Sequence, residues 1–268
     1  MPVIIDGTNG VSTPNTFAFK NRIIDGGFTI NQRGYTSGTS LSSGSYGHDR
    51  WKGGASGGTY TFTQASAGVN TTITITAGSI IQVIEGANLP EGGTYVLSWT
   101  GTAQGKIGAG SFGASGITGT ITAGTNTNIE FNTGTCGNVQ LEVGSTATSF
   151  DYRPYGTELA LCQRYCYVTG GSAYSNLFSG FFNTTTDFQG PVVMPVTMRS
   201  SPTLTTTGNF QVISNSAFSA SSLTLGASET TQMTAKINGT VSGATAGYGG
   251  TMRANNDATA KLILSAEL

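Results

Sequence analysis

Charge is what this chain has least of. Of its 268 residues, 12 are Lys or Arg and 13 are Asp or Glu, a charged share of 9%, where about a quarter is usual. The formal net charge is −1. A nucleic-acid partner requires a basic stripe to neutralise phosphates; none is present, so no nucleic acid is expected as a partner. Disordered chains combine high net charge with few apolar residues, and neither condition is met. Histidine occurs once, at His48, which leaves little room for imidazole acid–base networks; a strand-entry or surface role is the plainer reading of it. Three cysteines, Cys136, Cys162 and Cys166, are too few and too odd for a disulfide framework. Cys162 and Cys166 are four residues apart, but zinc takes about four ligands. They are expected to be buried reduced thiols, with no metal and no cofactor. No apolar run approaches the ~18–20 residues of a membrane span, so no membrane span is expected. Residues 1–6 (MPVIID) lack the basic and apolar regions of a signal peptide, which implies folding in a cytosol.

Glycine, in contrast, is abundant, with 40 residues, alongside many Thr and Ser. Such a composition fits many short strands joined by Gly-rich turns. Period-two alternation marks strands at 58–64 (GTYTFTQ), 71–76 (TTITIT), 93–100 (GTYVLSWT), 117–121, 128–131 and 138–143, and a buried run at 79–85. Further strands are expected at 176–182, 192–198, 209–214, 222–225, 231–238 and 261–266. One segment, 157–167 (TELALCQRYCY), has helical spacing, with Thr157 as cap and Leu159, Cys162 and Cys166 on one face. The fold class expected is all-β: two antiparallel β-sandwich, jelly-roll-like domains joined by one short helix. The corresponding boundaries are an N-terminal segment 1–20, a jelly roll 21–155, a linker helix 156–168 and a distal β-sandwich 169–268. Exposed strand edges in a sparsely charged chain need protection, and closed cyclic symmetry supplies it, so a homotrimer is expected.

Catalytic motifs are absent: there is no G-x-S-x-G, H-E-x-x-H or P-loop. A glycosidase needs two carboxylates about 5–10 Å apart. Glu85, Glu130 and Glu142 are the acids in or beside apolar strands and the ones to test; solvated strand-face carboxylates are the plainer reading, and no catalytic residue is expected. Trp51 and Trp99 could stack on sugar rings, but their apolar neighbours place them in the core. Tyr248 has only small neighbours in sequence and is the aromatic expected to be exposed. It lies in 239–257 (GTVSGATAGYGGTMRANND), read as a long loop. There Arg253, Asn255 and Asn256 offer groups for sugar carboxylates and hydroxyls, so Tyr248, Arg253, Asn255 and Asn256 form the candidate receptor or glycan contact. The alternative is a solvated loop with no ligand. Val3, Ile4, Ile5 and Val11 are apolar in a segment too short for its own core, which makes them the candidate anchor.

The stretches 21–28 (NRIIDGGF), 31–34 (NQRG) and 49–51 (DRW) resemble the opening of a module of bacteriophage tail fibres and prophage virion proteins. Residues 82–86 (QVIEG) and 93–99 (GTYVLSW) are similar to its middle strands and to carbohydrate-binding jelly rolls. Residues 140–144, 150–155 (FDYRPY) and 158–165 (ELALCQRY) resemble its end most closely, while 198–203 and 266–268 are similar to tip domains that follow it. The resemblance implies a virion structural protein, assembled in the host cytoplasm and placed on the phage tail or capsid surface: a short tail fibre or receptor-binding protein that attaches to host surface glycans. The 1–20 segment would then dock on other virion proteins. A capsid decoration protein is the alternative reading, and a glycan-degrading tailspike enzyme a lesser one.

Overall fold

The computed structural model describes residues 20–64, 66 and 68–268, and the backbone of two short paired strands, β1 (Ile4–Asp6) and β2 (Gly10–Ser12). Val3 lies outside the described residues, as do the side chains of Ile4, Ile5 and Val11. The protein is all-β, with a single α-helix among the described residues. No helix there is long and apolar enough to cross a membrane. Two compact units divide the chain. One takes Met1–Thr29, Ser37–Ser45 and Trp51–Pro154; the other takes Ile30–Thr36, Tyr46–Arg50 and Tyr155–Leu268.

The first unit holds β3 (Ser40–Leu41), β4 (Lys52–Thr61), β5 (Ile73–Ile84), β6 (Gly93–Thr100), β7 (Gly105–Ile107), β8 (Ile117–Ile121), β9 (Thr127–Phe131) and β10 (Gly134–Val143). They run in the order β3-β4-β5-β10-β6-β8, with β9 bridging β5 and β7. β5 decides this layout. Its first residues, Ile73–Ile75, pair with β10, while Ile80–Ile84 pair with β9. The sequence suggests two strands here; the structure has one, kinked at Gly78 (φ 65°), where a Cβ would collide with the Gly57 carbonyl. Trp51 and Trp99 are both buried, and the Phe131 ring lies 6.0 Å from the one and 5.0 Å from the other. Each indole N–H donates to a carbonyl at 3.0 Å, Trp51 to Asp25 and Trp99 to Ala103, so neither ring is offered to a ligand.

The 21–28 stretch is laced into this unit by backbone bonding. Asn21 Oδ1 accepts from the N–H groups of Ile23 (2.9 Å) and Leu141 (3.1 Å), and Asn21 Nδ2 donates to the Val139 carbonyl. The buried Gln82 amide pairs with both the N–H and the C=O of Ile24. Arg153 donates to the carbonyls of Ile23 and Asn21. A non-strand segment in a core must have its backbone groups satisfied, and these side chains do that.

The second unit begins with α1 (Tyr155–Gln163), then β11 (Cys166–Gly170), β12 (Asn176–Phe182), β13 (Asp187–Val193), β14 (Thr203–Thr207), β15 (Phe210–Ile213), β16 (Ala217–Ala220), β17 (Ser222–Leu225), β18 (Thr234–Thr240), β19 (Gly249–Ala254) and β20 (Lys261–Ser265). The sequence reading made the helix a separate linker running to Tyr167; here it stops at Gln163, and Cys166 opens β11. Cys162 and Cys166 therefore sit on different elements, both buried, and Leu159 is only half-buried. β11, β20 and β14 form a three-stranded sheet. The other seven strands run β16-β15-β19-β12-β13-β18-β17. Its two outermost strands, β16 and β17, are separated in sequence by Ser221 alone, so chain continuity brings the sheet's ends together and the sheet curls towards a barrel. Phe178, Phe182, Phe188, Val212, Ile237 and Met252 fill the inside, each buried side chain of this size contributing about 1.5–3 kcal/mol.

Candidate functional site

β19 crosses the stretch that the sequence marks as one long loop. The first two residues of that stretch, Gly239 and Thr240, end β18, and Gly249–Ala254 forms β19, pairing with β12 on one side and β15 on the other. Met252 and Ala254 point into the core, and Thr251 and Arg253 point out. This separates the sequence-predicted contact residues. Tyr248 precedes the strand, half exposed at 50%, with its N–H donating to the Thr245 carbonyl at 3.4 Å and its own carbonyl accepting from Phe182. Arg253 lies five residues further along, about 16 Å away at strand spacing. The two belong to different ends of the sheet.

At the Arg253 end a polar cluster forms. Arg253 is opposite Gln211 on β15 and Asn176 on β12. With the Gln211 amide turned to satisfy its neighbours, its oxygen accepts from Arg253 Nε and Nη2 at 3.2 Å each, and its nitrogen donates to Asn255 Oδ1 at 3.3 Å. The Tyr174 ring lies under the guanidinium, 4.9 Å from Cζ, within cation–π range. Tyr174 is 49% exposed and has φ 60°, a left-handed conformation in which non-Gly residues are uncommon. Asn256, also left-handed (φ 49°), is exposed and turns the chain after β19. Asp257 then closes that turn, accepting from the Thr259 hydroxyl (2.6 Å) and N–H and from Asn209. These bonds, the Thr259 hydroxyl first, hold its carboxyl below the ordinary range.

The chemistry follows from what remains. Among the described residues no carboxylate pairs with Arg253. Gln211 takes Nε and one Nη2 hydrogen, which leaves the Nη1/Nη2 end of the fork, the end that grips a carboxylate in two parallel bonds. Tyr174 adds an apolar face, and Asn255 adds an amide. The structure thus brings Arg253 and Asn255 together, leaves Asn256 as the turn residue beside them, and places Tyr248 elsewhere. The sequence reading missed Tyr174 and Gln211. Tyr174 had a signal: it is an aromatic in a run of small residues (GGSAYSN), the same pattern that pointed to Tyr248. Gln211 had none.

His48 belongs to another cluster, built from the two early segments of the second unit. Glu267 pairs with Arg33 (3.2 Å) and with Arg50, and the Arg50 guanidinium lies 3.6 Å over the Tyr165 ring. Asp49 accepts from the N–H of Gln32 at 3.0 Å and from its side chain, while the Gln32 amide also donates to the Cys166 carbonyl at 2.7 Å. The Tyr46 hydroxyl donates to the Leu268 carbonyl at 2.7 Å. Burial pushes the Asp49 carboxyl up to about 6, against the pull of Arg33, and the His48 imidazole down to about 4. Burial likewise raises the Cys166 thiol to about 12. Residues 31–34 and 49–50 thus carry a buried polar cluster within the second unit. Of the candidate acids, Glu130 is held by Lys106 (2.9 Å) and Ser79 (2.6 Å), and Glu142 is buried, accepting from Gln140 and from Thr148.

No protein-family model matches the chain, and no curated protein matches it.

Proposed function

We propose that the chain is a bacteriophage structural protein, a short tail fibre or receptor-binding protein assembled as a homotrimer, whose second unit attaches to host surface glycans. The observation carrying this is the Arg253 cluster: an uncompensated guanidinium, backed by an aromatic ring and flanked by amides, on the outer face of a curled sheet. That chemistry suits an acidic sugar, whose carboxylate meets the guanidinium while its apolar ring face lies on Tyr174. The stretches resembling phage virion proteins support the same reading. Multivalency would let sites of modest affinity hold a cell, because linked sites raise avidity without new contacts.

The test is binding of the purified chain to an array of bacterial surface polysaccharides. Acidic polymers are expected to be retained. Arg253→Ala should weaken binding by roughly 10–100-fold, the loss of a charge-assisted bidentate contact of about 1.5–3 kcal/mol. Tyr174→Ala should also weaken it, and Arg253→Lys should restore only part of it. Undiminished retention by Arg253→Ala, with an unchanged melting temperature, would remove this surface.

A further inference from the structure

A second concave surface lies on the outer face of the same sheet. β12, β13 and β18 enclose a cleft of about 270 Å³. Its floor is backbone: a Cβ on Gly180 would collide with the Gln189 carbonyl, and one on Gly190 with the Ser179 carbonyl. Both strands therefore need glycine to approach this closely. Phe181 borders it. Alternation along β12 sends Phe178 and Phe182 into the core and Phe181 outward, 47% exposed, so its ring contributes little to holding the barrel together. Pro191 lies alongside, on the cleft wall.

The rim is polar and neutral in sum. Lys236 Nζ donates to Glu229 Oε1 at 2.7 Å, leaving two ammonium hydrogens and the second carboxylate oxygen directed elsewhere. Among the described residues the Gln189 side-chain amide has no hydrogen-bond partner. We propose that this cleft binds one neutral pyranose residue, its C–H face on Phe181 and its hydroxyl edge on the Lys236–Glu229 pair and Gln189. The exposed Phe181 ring beside the Lys236–Glu229 pair and the Gln189 amide matches the two faces of a sugar ring. The volume lies just below the ~300–1,000 Å³ range of drug-sized pockets, room for one ring rather than a chain. The compensated charge selects a neutral sugar, unlike the Arg253 surface. This inference rests on the reading of the second unit as a glycan-binding module and adds a subsite of different chemistry.

Saturation-transfer NMR on the purified full chain tests it, with methyl glycosides of glucose, galactose, N-acetylglucosamine and rhamnose at ~10 mM, a concentration suited to millimolar affinity. Transfer to the C–H protons of at least one neutral sugar is expected. It should be lost in Phe181→Ala, reduced at least several-fold in Lys236→Met, and unchanged in Arg253→Ala. Three results overturn the proposal: no transfer to any sugar, transfer undiminished in Phe181→Ala, or light scattering showing that Phe181→Ala breaks an oligomer apart, which would make the cleft a contact between copies of the chain. If neutral-sugar transfer behaves as expected while Arg253→Ala still binds acidic polymers fully, the Arg253 surface fails and the cleft stands.

Discussion

Glu267 shows how a chain poor in charge uses the little it has. Two arginines converge on it, both largely buried, as it is. Removing one partner of a buried ion pair is costly, about 3–5 kcal/mol. Glu267→Ala is therefore expected to lower stability by about 3 kcal/mol in denaturant titration, and a change below about 0.5 kcal/mol would mean the arginines find other partners. His48 and Asp49 make a pH prediction with opposite signs. The folded imidazole stays neutral down to about 4 while the unfolded one protonates from 6.5, so its contribution is lost as pH falls through that window. The folded Asp49 carboxyl keeps its proton up to about 6 while the unfolded one releases it near 3.8, so its contribution is lost as pH rises. Each effect is worth about 3 kcal/mol, and from pH 4 to 6 they nearly cancel. Thermal melts should show Asp49→Asn losing stability from pH 6.5 to 4, and His48→Gln gaining stability over pH 6 to 4. If both variants follow the wild-type profile, the two groups are not held as described.

Elements were legible where side chains alternate and obscure where they are small. β6, β8, β12 and β17 occupy the ranges read from the sequence, because each alternates or carries several large apolar residues. The sequence marks β19 as loop: it has two glycines, and only Met252 is a large apolar residue. It is strand because Gly250 lets it run against β15, where a Cβ would lie 2.9 Å from the Ile213 carbonyl. The expected strand 192–198 lies instead at Asp187–Val193, since Pro195 has no N–H to pair, although Met194 and Met198 are still buried. The site was legible in part for the same reason. Arg253 and Asn255 stood out by chemistry, but their grouping with Tyr174 and Gln211 depends on strand register, which no spacing in the sequence reveals. Register also exposes the sheet's weak point. Gly180→Ala should push β12 from β13 and cost at least about 1–3 kcal/mol, whereas Ser179→Ala, on the exposed face, should change the melting temperature little. Equal effects would contradict the close approach.

For the whole molecule, edges and valency are the governing considerations. The proposed homotrimer would cover strand edges that sparse charge leaves unprotected, and repetition would strengthen the proposed sugar sites. Light scattering at micromolar concentration is expected to give three times the 27.4 kDa chain mass; a monomer would remove the trimer from the account. The central claim is attachment through the second unit, and adsorption tests it most directly. If the chain is the proposed phage attachment protein, the purified wild-type chain should block adsorption to host cells of a phage carrying it, and Arg253→Ala, with an unchanged melting temperature, should block it poorly. Failure of the wild-type chain to compete, or equal blocking by wild type and Arg253→Ala, would contradict the claim.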